Sequence, residues 1–294
     1  MLTFLLMKRF FRLLPVLFLV LSCGRSSYSP DRITVSVSIA PFKYFVDEIG
    51  GSHFDVNVMV PPGSDPHIYE PLPDQVRKLR QSEAYIANGC LGFEMGWLDR
   101  FYDINPEMKK LDLSERIDLI TAGSGEKDGH HEGADPHYWV SPVSAFIIAE
   151  TVKDLLCELD PAHTDEFTGN YDSLRVKISG LDSMAREYFS GGGRKSFMIY
   201  HPNLAYLARD YGLEEISVEH QGKEPTPSRF RELIDRAGKD SLNMILVQKE
   251  FDSRNARAIA GETGARIVVI DPLSADWLAS TKEIIMLLHD SFNQ

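Results

Sequence analysis

The stretch Gly133-Ala134-Asp135-Pro136-His137-Tyr138-Trp139-Val140-Ser141-Pro142 sets one histidine between two prolines, with two aromatic residues directly after it. It follows a polar, Gly-rich insert and precedes a helix-like run. Proline fixes φ and biases the residue before it toward extended backbone, so the segment reads as a stiff turn that presents His137. An imidazole held in that way suits a metal ligand, whose ring direction must be set before the ion arrives. A surface turn would contain such a histidine too. The segments on either side decide between the two.

Upstream, Ile33–Ile39 is β-rich, Ala40-Pro41 ends it, and Phe42–Ile49 reads as a helix closed by Gly50-Gly51. Phe54–Val60 alternates strictly as a second strand. The loop Pro61-Pro62-Gly63-Ser64-Asp65-Pro66-His67-Ile68-Tyr69-Glu70-Pro71 follows, with four prolines and another histidine. Pro73–Gln81 is helical, Glu83–Asn88 a strand and Phe93–Tyr102 a helix. Strands alternating with helices of this length give an α/β layer with a parallel sheet. The insert Thr121–Gly133 is the low-complexity segment of the chain.

Downstream, Val143–Leu159 carries an apolar helical stripe stopped by Asp160-Pro161. The pattern resumes over Ala162–Phe189, with Phe167, Leu174, Ile178, Leu181 and Tyr188 on neighbouring helical positions. That predicts a rod of roughly 42 Å, long enough to bridge two lobes. After Gly191-Gly192-Gly193 the same grammar returns: strands at Ser196–Tyr200, Glu215–Glu219, Asn243–Gln248 and Arg266–Ile270. Helices are read at Asn203–Tyr211, Pro227–Ala237, Ser253–Glu262 and Ala275–His289.

The amino terminus differs from the rest. Lys8, Arg9 and Arg12 precede the apolar run Leu13–Leu21, a basic region and short hydrophobic core typical of a secretory signal; Met7 is an alternative start. Ser22-Cys23-Gly24 resembles the end of a bacterial lipobox, which implies acylation of Cys23 and a lipid anchor in the cell envelope. Residues 23–30 then form a tether. The 294 residues, 43% hydrophobic and 25% charged, are enough for a full soluble core. With 43 acidic against 31 basic residues the net charge is −12, and loss of residues 1–22 makes it more negative. Such a surface repels nucleic acid and draws cations. Cys90 and Cys157 read as buried thiols or a pair. No CxxC occurs, so a thiolate zinc site is not supported.

Four metal-capable side chains thus fall at or past strand ends: His67, His137, His201 and Asp271, each next to a proline. Ligands of open parallel sheets bind beyond the carboxyl ends of the strands. His67 and His201 are 134 positions apart, as are His137 and Asp271. Three imidazoles and a carboxylate suit tetrahedral Zn²⁺, although Mn²⁺ and Fe²⁺ use the same donors. A site filled by four protein groups leaves no place for a reactant and so holds an ion without enzymatic chemistry.

These residues resemble the metal-binding lipoproteins that feed ABC transporters, of the ZnuA and TroA type. The likeness rests on Asp65–Pro71, on Asp135–Pro142, on Tyr200-His201 with Tyr206 and Tyr211-Gly212-Leu213, and on Ile270-Asp271-Pro272-Leu273. It implies two α/β lobes, each a mainly parallel sheet flanked by helices, over residues 31–161 and 191–294. A long rigid helix over 162–190 joins them, and the ion lies between. It also implies a monomer that delivers metal to a membrane permease driven by a separate ATPase. Manganese binders of the family often carry glutamate where this chain has His201, so histidine there favours zinc. Many zinc members have a histidine-dense loop, shortened here to Gly129-His130-His131-Glu132, where His130 and His131 are candidates for accessory capture.

A secreted zinc hydrolase is the competing class, but neither an HExxH helix nor a vacant coordination place with a general base is apparent. A surface adhesin also remains compatible with a lipid anchor. His220 is a candidate for the pocket rim and Glu250 for a supporting role, while Trp139 and Tyr69 are expected to wall the site. His53, His163 and His289 read as surface or capping residues.

Overall fold

In the computed structural model, residues 32–121, 133–191, 195–219, 223–251 and 254–293 are described. The signal and tether over 1–30, Cys23, the His130-His131 pair and His220 lie outside them. Strand β1 (Ile33–Ile39) leads directly into α1 (Ala40–Gly50), so Ala40-Pro41 starts the helix where the sequence predicts a break. Pro41 sits in the first turn, where its missing N–H costs nothing. Then follow β2 (Phe54–Val60), α2 (Pro73–Leu79), β3 (Ala84–Ala87), α3 (Gly92–Ile104) and β4 (Lys109–Asp112). Helices α4 (Pro142–Leu159) and α5 (Thr164–Phe189) close the first half. The second half runs β5 (Lys195–Ile199), α6 (Ala205–Tyr211), β6 (Leu213–Ser217), α7 (Pro227–Lys239), β7 (Met244–Gln248), α8 (Arg254–Thr263), β8 (Arg266–Ile270) and α9 (Trp277–Phe292).

The strands form two four-stranded sheets, in the orders β2-β1-β3-β4 and β6-β5-β7-β8, and every pairing is parallel. Both halves therefore share one topology, with the order reversing beside β1 and beside β5. All carboxyl strand ends of a sheet share one edge, which is where the ligand crevice of such folds opens. Along β5, Phe197 and Ile199 enter one hydrophobic core while Met198, with Tyr200 just past the strand, enters a second. Burial on both faces is why this strand reads as a continuous apolar run.

The larger core is continuous from the first sheet through α5 into α6 and α9. Helix α5 has 26 residues, about 39 Å, and buries Phe167, Leu174, Ile178, Leu181, Ala185 and Phe189 as one stripe. The lobes are further locked by hydrogen bonds that cross between them. Trp139 Nε1 donates to the Pro272 carbonyl at 2.9 Å and Trp277 Nε1 donates to the Trp139 carbonyl at 2.7 Å. Tyr206 Oη donates to the Asp135 carbonyl at 2.7 Å, and Ser141 Oγ donates to Asp210 Oδ2 at 2.5 Å. Cys90 and Cys157 are free thiols. Among the described residues no helix is long and apolar enough to cross a membrane.

Replacing Trp277 with Phe leaves the buried Trp139 carbonyl without its donor. The folded chain should lose about 2 kcal/mol, the cost of such an orphaned acceptor, measured by urea unfolding. A loss under about 0.5 kcal/mol would place this contact among neutral substitutions.

Candidate metal centre

Two loops with the same opening tripeptide present histidines from the first lobe. In Asp65-Pro66-His67 and in Asp135-Pro136-His137, the aspartate Oδ1 accepts the backbone N–H of the histidine two residues on, at 2.8 and 2.9 Å. This side-chain turn fixes where each imidazole begins. Gly92, at the start of α3, packs under His67 so closely that a Cβ there would overlap the His67 carbonyl. Phe93 N donates to the Pro66 carbonyl at 3.3 Å.

The His137 loop is tied to the sheet through buried Glu94. Its carboxylate accepts Asn88 N at 2.8 Å and Gly89 N at 2.7 Å, and Ser38 Oγ also donates to it. Asn88 passes the restraint on, donating from Nδ2 to the Pro136 carbonyl at 3.0 Å and accepting the Tyr138 hydroxyl at 2.7 Å. Burial pushes the Glu94 carboxyl up to about 7 against these donors.

His201 follows β5 in the second lobe. Gln248 clamps its backbone, donating to the carbonyl at 2.6 Å and accepting the amide at 3.3 Å. Phe251 stacks on its ring, with centroids 4.4 Å apart and 12° between planes.

The three imidazoles meet. His67 Nε2 lies 3.1 Å from His201 Nε2, and the ring centroids are 5.0 to 5.2 Å apart. One donor atom from each falls within 4.8 Å of the others. His137 and His201 are buried, and a carboxylate holds the far nitrogen of each ring. Asp135 Oδ1 is 2.8 Å from His137 Nδ1, and Glu219 Oε2 is 3.2 Å from His201 Nδ1. A carboxylate on Nδ1 fixes the N–H there and leaves Nε2 as the lone pair for an ion. Burial, then the neighbouring imidazoles, hold His67 down to about 3. Burial likewise lowers His137 despite Asp135 beside it. The His137 contact keeps Asp135 below the usual carboxylate range, although burial opposes it.

Asp271 directly follows β8 as predicted, but it does not join the three rings. Its Oδ2 pairs with Lys249 Nζ at 2.6 Å. One oxygen of nearby Glu250 is buried without a partner, and burial followed by the Asp271 charge raises that carboxyl. Trp139 walls the site as expected, 5.4 Å from the His137 ring. Tyr69 instead donates to Gln75 Oε1 at 3.0 Å and ties the first ligand loop to α2. The equal 134-residue spacings are topologically equivalent in one case only. His137 and Asp271 follow β4 and β8, both last in their sheets, whereas His67 follows β2 and His201 follows β5.

Fold and site together define a two-lobed solute-binding protein whose crevice presents nitrogen donors for a metal ion. The profile of the ZnuA family, described as zinc-uptake complex component A, periplasmic, matches residues 35–286, and the chain belongs to that family. The chain is 26% identical over 270 residues to the zinc-binding lipoprotein AdcA of Streptococcus pneumoniae serotype 4, covering 88% of itself and 53% of that relative. It thus spans about half the length of AdcA. A crystal structure of ZnuA superposes with a TM-score of 0.81 at 34% identity, covering 89% of this chain and 99% of the other. The laminin-binding protein Lmb of Streptococcus agalactiae shares the fold, with a TM-score of 0.76 at 22% identity over 88% of this chain and 99% of Lmb.

Two outcomes test this geometry. In the metal-free protein the His67 ring should stay neutral from about pH 8 down to about pH 5, followed by its NMR chemical shifts. A midpoint near the ordinary 6.5 would mean an open, hydrated site. Because the folded-state value is lowered, the folded chain binds fewer protons than the unfolded one below 6.5, so His67 makes stability fall as pH drops toward 3. Gly92→Ala should displace the His67 backbone and weaken metal binding about tenfold or more in a calorimetric titration. Unchanged affinity would show that the loop yields freely.

Proposed function

We propose that this chain is the extracytoplasmic component of an ABC importer that captures Zn²⁺ between its lobes and delivers it to a membrane permease. The observation that carries this reading is the convergence of three imidazoles from both lobes, two of them oriented by carboxylates, in a buried crevice. Three nitrogen donors favour zinc over manganese, which lies earlier in the affinity order of divalent metals. The zinc named for AdcA and for the family supports the same choice.

His67, His137 and His201 supply the nitrogens, and Asp271 supplies the fourth donor once it leaves Lys249. The ammonium of Lys249 neutralises that carboxylate until a divalent cation replaces it. Glu219 and Asp135 fix the ring tautomers and strengthen the donors. Trp139 and Phe251 exclude water, which raises the electrostatic worth of each contact. The cross-lobe hydrogen bonds and α5 oppose hinge rotation, so loading and release proceed through local movement of the ligand loops. A lipid on Cys23 keeps the protein at the membrane, and a cytoplasmic ATPase drives release through the permease. The chain acts as a monomer, and His130 and His131 serve capture only in an accessory way.

Competition titration with Zn²⁺ and Mn²⁺ tests the reading. Zinc should bind roughly a hundredfold or more tightly. His201→Ala should weaken zinc by more than about a hundredfold, Asp271→Asn by about tenfold, and His130→Ala with His131→Ala by less than about twofold. Tighter manganese binding would overturn the zinc assignment, and equal losses across these variants would overturn the ligand set.

A further inference from the structure

A second group of metal-capable side chains lies at the opposite edge of the first lobe. His53 ends the single-turn 3-10 helix Gly51–His53 that feeds β2, so it sits at the amino-terminal end of that strand, whereas His67 lies past the carboxyl end. Asp160 and His163 bound the turn between α4 and α5, with the 3-10 helix Pro161–His163 holding them one turn apart. The sequence separates His53 from His163 by 110 positions, and packing of α1 against α4 and α5 brings them together.

The donors face one another. Asp160 Oδ2 is 2.6 Å from His163 Nδ1 and 3.8 Å from His53 Nδ1. The two rings stand 4.0 Å apart, and both lie against buried Phe167. On its other side, His53 Nε2 meets Glu166 Oε2 at 3.3 Å. One donor atom each from His53, Asp160 and His163 lies within 4.8 Å of the others. The side chains are 24%, 17% and 43% exposed, so solvent reaches the group from one side.

His53 therefore stands between two carboxylates. A divalent cation beside Asp160 Oδ2 can take the Nδ1 lone pairs of both rings while the carboxylate offsets its charge. A tetrahedral zinc ion with bonds of about 2.0–2.1 Å spaces its donors about 3.3 Å apart. The observed separations of 2.6 and 3.8 Å bracket that value. Glu166 on Nε2 then orients the ring as a supporting carboxylate.

We propose that His53, Asp160 and His163 form a second, solvent-facing site for a divalent transition-metal ion, separate from the interlobe centre. Three protein donors leave a coordination place to water, so the ion is held less tightly than one enclosed between the lobes. Bound there, it ties the root of α5 to the start of β2 and stabilises that joint by mass action.

The test uses the full chain in detergent with His137→Ala and His201→Ala to disable the interlobe centre, and His130→Ala and His131→Ala to remove the loop pair. Equilibrium dialysis against Zn²⁺ should still find one bound equivalent. Adding His53→Gln or His163→Gln should weaken it about ten- to a hundredfold. No retained zinc, or retained zinc indifferent to both substitutions, overturns the proposal. Carbethoxylation of the unsubstituted chain, read by mass spectrometry, needs no variant to fold. Zn²⁺ should protect His53 and His163 together with one half-saturation point. Modification of either at saturating zinc overturns the site.

Discussion

Three imidazole rings meet in the crevice with centroids 5.0 to 5.2 Å apart. At such separations, in a place from which water is largely excluded, two positive rings repel strongly. Burial acts in the same direction, which is why His67 and His137 are both held in the neutral form. The crevice thus concentrates lone pairs that only a cation can satisfy together. Asp135 and Glu219 complete the constraint by occupying the Nδ1 side of two rings, so that the Nε2 lone pairs are aimed.

Everything around the centre keeps those rings in place. Two sheets of identical strand order turn their carboxyl edges toward the crevice, and each ligand loop is anchored by at least two backbone hydrogen bonds. Gly92 and Gln248 press or clamp the chain at His67 and His201, while Glu94 reaches the His137 loop through Asn88. The hydrogen bonds from Trp139 to Pro272 and from Trp277 to Trp139 make the lobes one mechanical body. A site whose donors come from both lobes needs that rigidity, since a shift of one ring by an ångström would take it out of bonding range.

Much of this was legible in the chain because apolar strands, glycines and prolines punctuate it so regularly. Seven of the eight strands follow from β-rich runs. The exception, β4, reads Lys109-Lys110-Leu111-Asp112 and is a solvent-facing edge with no apolar signature. Strand β6 falls two residues earlier than its apolar pattern indicates, because its register is set by Leu213 pairing with Lys195. The three histidines were visible because each sits beside a proline, two in repeated Asp-Pro-His turns and one just past a strand. Their carboxylate partners were not. Glu219 reaches His201 only through the pairing of β5 with β6, and Lys249 meets Asp271 only because Gln248 pairs with Ile270 in the sheet. The repeated Asp-Pro-His tripeptide was the one local signal for Asp65 and Asp135 as supports. Phe251, three residues past the last Gln248–Ile270 pair of β7 and β8, gave none.

Anomalous diffraction at the zinc edge, from crystals of the chain given one equivalent of Zn²⁺, addresses the central claim most directly. The account predicts one dominant peak about 2.0–2.1 Å from Nε2 of His67, His137 and His201. A dominant peak elsewhere, with those three rings turned away from one another, would contradict it.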